Sequence, residues 1–181
     1  MKKNLSTLSS IFVLILASIL IYYFDLPVDS LIDNNHQELS NYEVVGVSDG
    51  DTIKVQISEN IETVRIVNIN TPESVDPRKP VECLGKEAGE KMKELVQGKV
   101  VTLEIDETQT DKDRYNRLLR FVFLEDGTDV GLEMIKLGYA YSTPYGNSPH
   151  KFLDLYELSE QEAKDKQLGL WNPEVCKNFS N

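Results

Sequence analysis

The stretch DGDTIKVQISENIETVRIVNINTPE, residues 49–73, decides how this chain folds. β-Branched and polar residues alternate over residues 53–57 and again over residues 64–69, which predicts two β-strands. The Asp-Gly step that opens the stretch is typical of a turn, and the polar residues 58–60 fit a second turn between the strands. We therefore expect an antiparallel hairpin with polar segments at its open end.

Polar side chains collect at that open end of the predicted hairpin. Asp51 lies where the first strand starts, whereas Asn70 and Glu73 follow the end of the second strand, in which Arg65 lies. Pairing of the strands would bring these side chains together, and carboxylates beside an arginine suit a hard metal ion and a phosphate group. The alternative for Asp51 is a purely structural role in the turn. Asp49 is expected to orient that turn.

Three further strands are predicted from the same alternation of residues, one before the hairpin and two after it. They cover residues 42–47, 100–105 and 118–124. Two prolines place residues 75–81 in a loop, and the polar residues 106–116 form another loop between the last two strands.

Three helices are predicted after the hairpin. The first, residues 84–97, has apolar residues at helical spacing on one face, and Gly98 is placed to end it. Asp129 is expected to cap a short second helix that Gly138 ends. Residues 148–149, a Ser-Pro pair, are expected to start the third helix. The predicted buried face of this last helix consists of Phe152, Leu155, Tyr156, Ser159 and Ala163.

Five strands, with one helix after the third strand and the others near the end, predict a mainly β fold with α-helices (α+β), built as a small closed barrel. The barrel domain is expected to cover residues 42–173. It would be preceded by an apolar segment at residues 1–24 and a linker at residues 25–41, and followed by a short tail at residues 174–181.

Composition places the chain among globular proteins, yet its charge is unusual for a protein that contacts a polyanion. Hydrophobic residues make up 40% of the 181 residues and charged residues 27%, which is enough to build a core. The formal net charge is -11, so a nucleic acid would be repelled at long range. Any such ligand needs a local basic patch. The candidates for that patch are Lys112, Arg114, Arg117 and Arg120, with Arg78 and Lys79 on a nearby loop.

The N-terminus has the features of an export segment. Lys2 and Lys3 precede an apolar run over residues 5–24, which is just long enough to span a bilayer at about 20 residues. Both an uncleaved membrane anchor and a cleaved signal peptide fit this pattern, and a buried soluble helix is a third alternative. In the first two cases the rest of the chain lies outside the cytoplasm, anchored to the membrane or secreted.

The two cysteines agree with an extracytoplasmic location. An even number of cysteines in an exported domain predicts a disulfide, here between Cys83 and Cys176. Such a bridge would tie the segment before the first helix to the end of the chain. The alternative is two unpaired thiols.

Three motifs in this chain resemble the staphylococcal nuclease (thermonuclease) family. Asp-Gly-Asp-Thr with Arg65 and a closing Thr-Pro-Glu is the first, residues 113–118 (DRYNRL) are the second, and residues 169–171 (GLW) are the third. The resemblance extends over about residues 42–171. It implies an OB-fold barrel with three helices. It also implies a calcium-dependent hydrolase, an endonuclease that cuts DNA and RNA with little sequence preference and leaves 3′-phosphates.

The resemblance also assigns roles to the residues of the site. Asp51, Asn70 and the backbone carbonyl of Thr71 would be metal ligands, with Ca²⁺ as the cofactor. Glu73 would be the general base, or would position the attacking water. Arg65 and Arg117 would bind the phosphate bidentately. Taken singly, such residues have ordinary alternatives: Arg65 as a surface salt bridge, and Glu73 as an exposed side chain after a proline.

Substrate bases are expected to meet a second group of residues, since bases stack on aromatic rings without sequence preference. This group consists of Arg114, Tyr115 and Tyr145, and core packing is the alternative for Tyr145. Asn116 stands where the family usually has Gly, and Asn tolerates a positive φ better than most residues. Trp171 is expected in the core. We expect a monomer that prefers single-stranded or denatured nucleic acid.

Asn70 is the departure from the family pattern, which has Asp before Thr-Pro-Glu. An amide oxygen can bind calcium, but the site then has one negative charge fewer, and affinity depends on the number of charged ligands. Two functions of different classes therefore stand side by side. The first is a calcium-dependent nuclease, and the second is a nuclease-fold module that binds nucleic acid with little or no cleavage.

Overall fold

The computed structural model describes residues 41–74, 80–144 and 150–177, and every structural statement below concerns these residues. They form strands, three α-helices and a 3₁₀ turn. In chain order these are β1 (Asn41–Asp49), β2 (Thr52–Ile57), β3 (Asn60–Ile66), β4 (Ile69–Asn70), α1 (Gly85–Val96), β5 (Val100–Ile105), β6 (Leu118–Leu124), α2 (Val130–Lys136), β7 (Tyr141–Ser142), α3 (Leu153–Asp165) and a 3₁₀ turn (Gly169–Trp171).

Five of the strands close into a barrel in the order β1-β2-β3-β6-β5, with β5 pairing back to β1. All neighbours are antiparallel except β3 and β6, which run parallel, with Val64 opposite Leu118. The five-stranded barrel with three helices is the predicted architecture, and it is confirmed. The parallel pair places the start of β6 beside Val64, so the loop before β6 lies close to Arg65 near the end of β3.

The core fills the barrel and the space under the helices. Val44, Ile53, Val64 and Phe121 are completely buried, and they come from four different barrel strands. α1 covers β1 with its predicted face, since Ala88, Met92 and Val96 are also completely buried. Burial of such side chains contributes about 1.5–3 kcal/mol for each large residue.

The second strand of the predicted hairpin ends earlier than expected. The prediction ran to residue 69 without a break, but β3 stops at Ile66, and a turn follows at residues 67–68. Asn68 adopts a positive φ of 63°, and its Nδ2 donates to Asp106 Oδ2 at 3.2 Å. This bend sends the chain into β4, which pairs with β7 in a separate two-stranded sheet. The segment that holds Asn70 is therefore directed by Asn68, not by the hairpin.

α2 has the predicted residues at both ends, whereas α3 departs from its prediction in part. Asp129 caps α2 by accepting from Leu132 N at 3.0 Å, and Gly138 after α2 has a positive φ of 75°, as expected. α3 starts at Leu153, and residues 148–149, expected to start it, lie outside the described residues. Leu155 was expected on its buried face but is 45% exposed. Tyr156, Ser159 and Ala163 are buried on this face, as predicted.

Two other predictions concern a disulfide and a membrane-spanning segment. The predicted bridge between Cys83 and Cys176 is present, with the two Cα atoms 5.6 Å apart. In the part of the chain that the structure describes, no helix is both long enough and apolar enough to cross a bilayer. The apolar run at residues 5–24, the two basic loop residues Arg78 and Lys79, and Tyr145 all lie outside the described residues.

Candidate functional site

Asp51 lies at the turn between β1 and β2 and is 6% exposed. Its backbone carbonyl accepts from Ile66 N at 2.9 Å, and Thr52 lies directly opposite Arg65 in the hairpin. The turn is thereby fixed to the end of β3. The Asp51 carboxylate is held by Thr52, whose hydroxyl donates to Asp51 Oδ1 at 3.0 Å.

Arg65 forms the centre of this cluster. Its Nη2 lies 2.9 Å from Asp51 Oδ2 and donates to the Ile69 carbonyl at 3.0 Å, and its Nη1 donates to the Ile66 carbonyl. The same Nη2 lies 3.4 Å from Asn70 Oδ1. Both side chains of the ion pair are largely buried: counted without the backbone, 12% of the Arg65 side chain and 9% of the Asp51 side chain are exposed. The guanidinium is therefore firmly oriented toward the open end of the hairpin.

Gly50 allows the turn to approach the segment that carries Thr71. A Cβ at position 50 would lie 2.8 Å from Thr71 Cγ2 and 2.9 Å from Ala88 Cβ, which is closer than atoms can pack. Thr71 N donates to Asp51 Oδ2 at 3.2 Å across this contact. The Asp-Gly-Asp turn, Thr71 and helix α1 therefore meet because residue 50 has no side chain.

Asp49 shares the turn with Asp51 and differs from it in its partners. Its Oδ1 accepts from Asp51 N at 3.2 Å, which agrees with its predicted role in orienting the turn. Burial, together with the adjacent Asp51 carboxylate, raises the pKa of Asp49 to about 6. Asp49 therefore takes up a proton more readily than an ordinary aspartate.

Glu73 is half-buried, and its backbone is held on both sides by Glu82. Glu73 N donates to Glu82 Oε2 at 2.9 Å, and Glu82 N donates back to the Glu73 carbonyl at 2.8 Å. Gly85 at the start of α1 packs against the same carbonyl, since a Cβ there would lie 2.7 Å from it. Glu73 thus follows Thr71 by two residues and is fastened to the N-terminal end of α1.

Arg117 lies directly before β6, the strand that pairs with β3, which holds Arg65. Asp113 orients it: Arg117 Nε and Nη2 each lie 2.7 Å from Asp113 Oδ2, and Arg117 N donates to Asp113 Oδ1 at 3.0 Å. Burial of Asp113 opposes its ionisation, but these hydrogen bonds outweigh burial and lower its pKa. Asn116 bends the loop with a positive φ of 64°, as its place in the motif predicts.

Tyr115 is 62% exposed, and two guanidinium groups lie near its ring. Arg114 lies 4.8 Å from the ring centroid and Arg117 lies 5.3 Å from it, while Arg114 Nη2 donates to the Tyr115 hydroxyl at 2.8 Å. An exposed ring flanked by cations is suited to contact a base and its phosphate. The structure therefore places Arg114 and Tyr115 beside Arg117.

The predicted basic patch is largely neutralised by acidic neighbours. Arg120 pairs with Asp111 and is only 11% exposed, so it does not face solvent as the prediction required. Lys112 pairs with Glu62 at 3.3 Å. Of the four residues assigned to the patch, Arg114 and Arg117 are the two grouped around Tyr115. The positive surface is thus narrower than the sequence predicted.

Two of the three oxygen atoms expected to bind calcium face the same point. Asp51 Oδ2 and Asn70 Oδ1 both face the same nitrogen of Arg65. Among the described residues, no three His, Cys, Asp or Glu side chains form a group that could hold a metal. The donors expected at this point are one carboxylate, one amide and the carbonyl of Thr71. All are hard oxygens, which fit calcium in type, but their total charge is low.

Three residues of this cluster were not singled out from the sequence: Thr52, Glu82 and Asp113. Asp113 carries a recognisable signal, because an Asp whose side chain accepts the N–H two residues later forms a local turn, here with Tyr115. Glu82 carries none, since its contact with Glu73 spans nine residues that include a stretch of loop. Trp171 was expected in the core and is half-buried, with its ring against Tyr141 at 5.4 Å.

Comparison with known proteins gives consistent matches. A family model described as "Staphylococcal nuclease homologue" matches residues 63–173. The chain is 37% identical over 137 residues to the SPbeta prophage-derived endonuclease YokF of Bacillus subtilis (strain 168), which covers 75% of this chain and 45% of that protein. Identity to Endonuclease YncB of the same organism is 37% over 139 residues, covering 76% of this chain and 64% of that protein.

A third relative is of similar length. The Thermonuclease of Staphylococcus intermedius is 36% identical over 131 residues, which cover 72% of this chain and 76% of that protein. The chain spans less than two thirds of the length of the two Bacillus relatives. The family match begins inside β3, so Asp51 precedes it and joins the site through the hairpin. The barrel, the matched region and the identity to these relatives show that the chain belongs to the staphylococcal nuclease family.

Proposed function

We propose that this protein is a calcium-dependent nuclease that hydrolyses phosphodiester bonds of DNA and RNA and leaves 3′-phosphate products. The observation that carries the proposal is the cluster of Asp51, Arg65 and Asn70, with Glu73 three residues further along the chain. The names of the relatives, endonuclease and thermonuclease, agree with it.

Arg65 and Arg117 bind the scissile phosphate in this proposal. Attack on a phosphodiester builds negative charge on the oxygens that surround phosphorus, and guanidinium groups stabilise that charge. Arg65 is held by Asp51 and two backbone carbonyls, and Arg117 is held by Asp113. Both cations are therefore in place before substrate arrives, and little reorganisation is needed when it binds.

Glu73 acts as the general base. It accepts a proton from the water that attacks phosphorus, and the bond between phosphorus and the 5′-oxygen breaks. The 5′-oxygen takes up a proton from solvent water as it leaves, Glu73 later returns its proton to solvent, and the phosphate stays on the 3′-oxygen of the neighbouring nucleotide. The contacts of the Glu73 backbone with Glu82 and Gly85 fix the position from which the Glu73 side chain extends.

Asp51, Asn70 and the Thr71 carbonyl hold the calcium ion in this proposal. When bound, calcium supplies positive charge beside the phosphodiester and increases the acidity of water near it. Asp51 Oδ2 already accepts from Arg65 and Thr71 N, so the ion competes with Arg65 for this oxygen. The protein is expected to bind calcium weakly for that reason and because position 70 is uncharged.

Exposed single-stranded nucleic acid outside the cytoplasm is the proposed substrate. The Cys83–Cys176 disulfide supports an oxidising compartment, because such bridges are rare in the cytosol. The exposed Tyr115 ring with Arg114 offers stacking to an unpaired base. Membrane anchoring through residues 1–24 and a monomeric state stay predictions from the sequence.

A second function is favoured by two specific observations. Asn70 removes one carboxylate from the metal donors, and the acidic partners of Lys112 and Arg120 narrow the positive surface. A protein with these features could bind nucleic acid through Tyr115 and the two arginines without efficient cleavage. Against this alternative, Asp51, Arg65, Glu73 and Arg117 are all of the residue types that cleavage needs.

Cleavage of denatured DNA by the full-length protein separates the two functions. We expect cutting with calcium, none with a chelator, and a loss of at least about 100-fold for Glu73→Gln, as for removal of a general base. Products should carry 3′-phosphates, which block extension by a polymerase until a phosphatase removes them. If the wild type binds but does not cut, and Asn70→Asp cuts, the binding function stands and the metal site has been weakened.

A further inference from the structure

We propose that Glu82 is a positioning residue for Glu73, and that the Cys83–Cys176 disulfide holds Glu82 in the geometry that cleavage requires. The inference rests on the proposed function, in which Glu73 is the general base. Nuclease turnover would then depend on the oxidation state of this bridge.

Glu82 and Glu73 hold each other by two hydrogen bonds that run in opposite directions. The backbone N–H of Glu73 donates to the Glu82 carboxylate, and the backbone N–H of Glu82 donates to the Glu73 carbonyl, at 2.9 and 2.8 Å. Both peptide groups next to the Glu73 Cα are thus fixed. The direction in which the Glu73 side chain leaves the backbone depends on them.

The start of α1 closes this arrangement from the other side. Gly85 N donates to the Glu82 carbonyl at 3.0 Å, and the Gly85 Cα lies so close to the Glu73 carbonyl that no Cβ would fit. Glu82 itself is exposed, so surrounding side chains do not lock it in place. Its position depends on the short segment between the Glu73 contact and the helix.

The disulfide fastens this short segment to the end of the chain. Cys83 lies directly after Glu82, and Cys176 lies beyond the 3₁₀ turn, which is anchored by a Leu170 N donation to the Gly138 carbonyl at 2.8 Å. Trp171 in that turn packs edge-on against Tyr141 at 5.4 Å.

Tyr141 in turn connects this anchor to the metal donors. It pairs with Asn70 across the β4–β7 sheet. The bridge therefore links the Glu73 clamp to the strand that presents Asn70.

A small movement of the general base has a large effect on rate. Misplacement of a catalytic group by about 1 Å can cost about 100-fold, because proton transfer requires hydrogen-bond distance. Loss of the Glu82 carboxylate frees the Glu73 N–H, and loss of the bridge frees Glu82. Neither change removes a group that binds the phosphate, so KM should be preserved.

The test compares Glu82→Ala with Glu82→Gln in the full-length, oxidised protein. The glutamine retains an oxygen that can accept from Glu73 N, whereas alanine does not. We expect kcat on denatured DNA to fall at least tenfold in Glu82→Ala, with KM within twofold of wild type, and to be largely rescued in Glu82→Gln. Glu90→Ala, an exposed glutamate on α1, is the charge-matched control and should retain wild-type kcat.

The role of the bridge is tested by reduction. Dithiothreitol gives two electrons and two protons to the disulfide and becomes a cyclic disulfide itself, leaving two cysteine thiols. After near-UV circular dichroism has verified that the protein is still folded, we expect reduction to lower the kcat of the wild type at least fivefold. Reduction should change the kcat of Glu82→Ala by less than twofold, because the clamp is already lost. The Cys83→Ser/Cys176→Ser double variant should behave as the reduced wild type does.

Two results would overturn the inference. One is a kcat in Glu82→Ala within twofold of wild type, and the other is equal turnover of the folded protein before and after reduction. Glu73→Gln, measured in the same assay, separates this failure from that of the proposed function. If Glu73→Gln cuts normally, the general base has been misassigned, whereas an inactive Glu73→Gln with a fully active Glu82→Ala rejects only the role of Glu82.

Discussion

Asn70 is the residue at which this site departs from the pattern that it resembles, because an amide stands where the family pattern has a carboxylate. Its oxygen nevertheless faces the same Arg65 nitrogen as Asp51 Oδ2 does, at 3.4 Å against 2.9 Å. The oxygen at position 70 therefore faces the same nitrogen as the Asp51 carboxylate but carries no charge. At the scale of single residues, Arg65 and the proposed calcium ion would compete for a small number of oxygens.

Asn70→Asp tests this balance directly. A second carboxylate at the convergence point should tighten calcium binding about tenfold or more, which corresponds to about 1.4 kcal/mol. Isothermal titration calorimetry measures this without any need for turnover, and an exposed Asn60→Asp serves as a control for added charge. Equal affinities in the Asn70→Asp variant and the wild type would mean that residue 70 is not a ligand.

The two arginines should respond differently to removal. Arg117→Ala is expected to lower turnover by about 100-fold or more, as for loss of a group that stabilises transition-state charge, with a small effect on stability. Arg65→Ala should also lower the free energy of unfolding, by roughly 3 kcal/mol, because it leaves the buried Asp51 carboxylate without its cation. Urea denaturation, run beside the cleavage assay, distinguishes the two. Equal stability losses would contradict the assignment of Arg65 to a buried pair.

At the scale of secondary structure, local patterns predicted the elements, and distant contacts determined how they join. The strands at residues 100–105 and 118–124 have their predicted bounds, because the alternation of apolar and polar residues is visible within each segment. The break after β3 could not be predicted, since it depends on a hydrogen bond from Asn68 to Asp106, 38 residues away.

The same division applies to the candidate site. Its main residues are candidates predicted from motifs, because turn residues and an arginine within a strand are recognisable along the sequence. The pairing of Arg120 with Asp111 and the clamp on Glu73 were not found, because they form only when separate loops meet. Sequence patterns therefore identified which groups are present, and the fold determined which of them are free to meet a ligand.

The contact of the Gly50 turn with Thr71 and helix α1 is expected to be sensitive to a single added methyl group. Gly50→Ala would place a methyl group against Thr71 and Ala88, and overpacking of this kind costs about 1–3 kcal/mol. Calcium affinity should fall with it, since Thr71 would be displaced. Gly46→Ala is the matched control, because its Cβ would meet only the Lys54 side chain at 3.7 Å. Urea titration of both variants measures the difference, and equal stability would contradict the close approach.

At the scale of the whole molecule, the net charge of -11 would repel the proposed polyanionic substrate. Most lysines and arginines near the site are paired with acids, so long-range attraction is weak, and in the proposed function contacts at Tyr115, Arg65 and Arg117 carry the affinity. Salt screens repulsion as well as attraction between exposed charges, and the Debye length is about 10 Å at 0.1 M. The salt dependence of binding should therefore be shallow for a nucleic-acid-binding protein.

Acid should weaken the fold through His150, which is 4% exposed. Its Nδ1 accepts from Phe152 N at 3.3 Å, and its Nε2 has no hydrogen-bond partner among the described residues. Burial lowers its pKa, although the Asp106 and Glu157 carboxylates act in the opposite direction. Below about pH 6.5, His150 binds a proton in the unfolded chain but not in the folded chain. The free energy of unfolding therefore falls as the pH is lowered, until the pH reaches the lowered pKa of His150 in the folded protein.

His150→Asn tests this origin of acid sensitivity, because asparagine keeps an acceptor near Nδ1 and cannot be protonated in this range. The free energy of unfolding should fall less between pH 7 and pH 5 in the variant than in the wild type. Urea denaturation at both pH values measures the difference between the two proteins, in which other titrating groups cancel. Identical losses would show that His150 does not contribute.

The Cys83–Cys176 bridge turns residues 83–176 into a covalently closed ring, with β1 to β4 attached to it as a branch. A protease that cuts one peptide bond inside the ring opens it but releases no fragment. The nicked molecule would keep its barrel strands tethered to one another and would migrate as one band until a reductant is added, then as two. If the protein lies outside the cytoplasm, as proposed, a protease could thus cut it once and leave it one molecule.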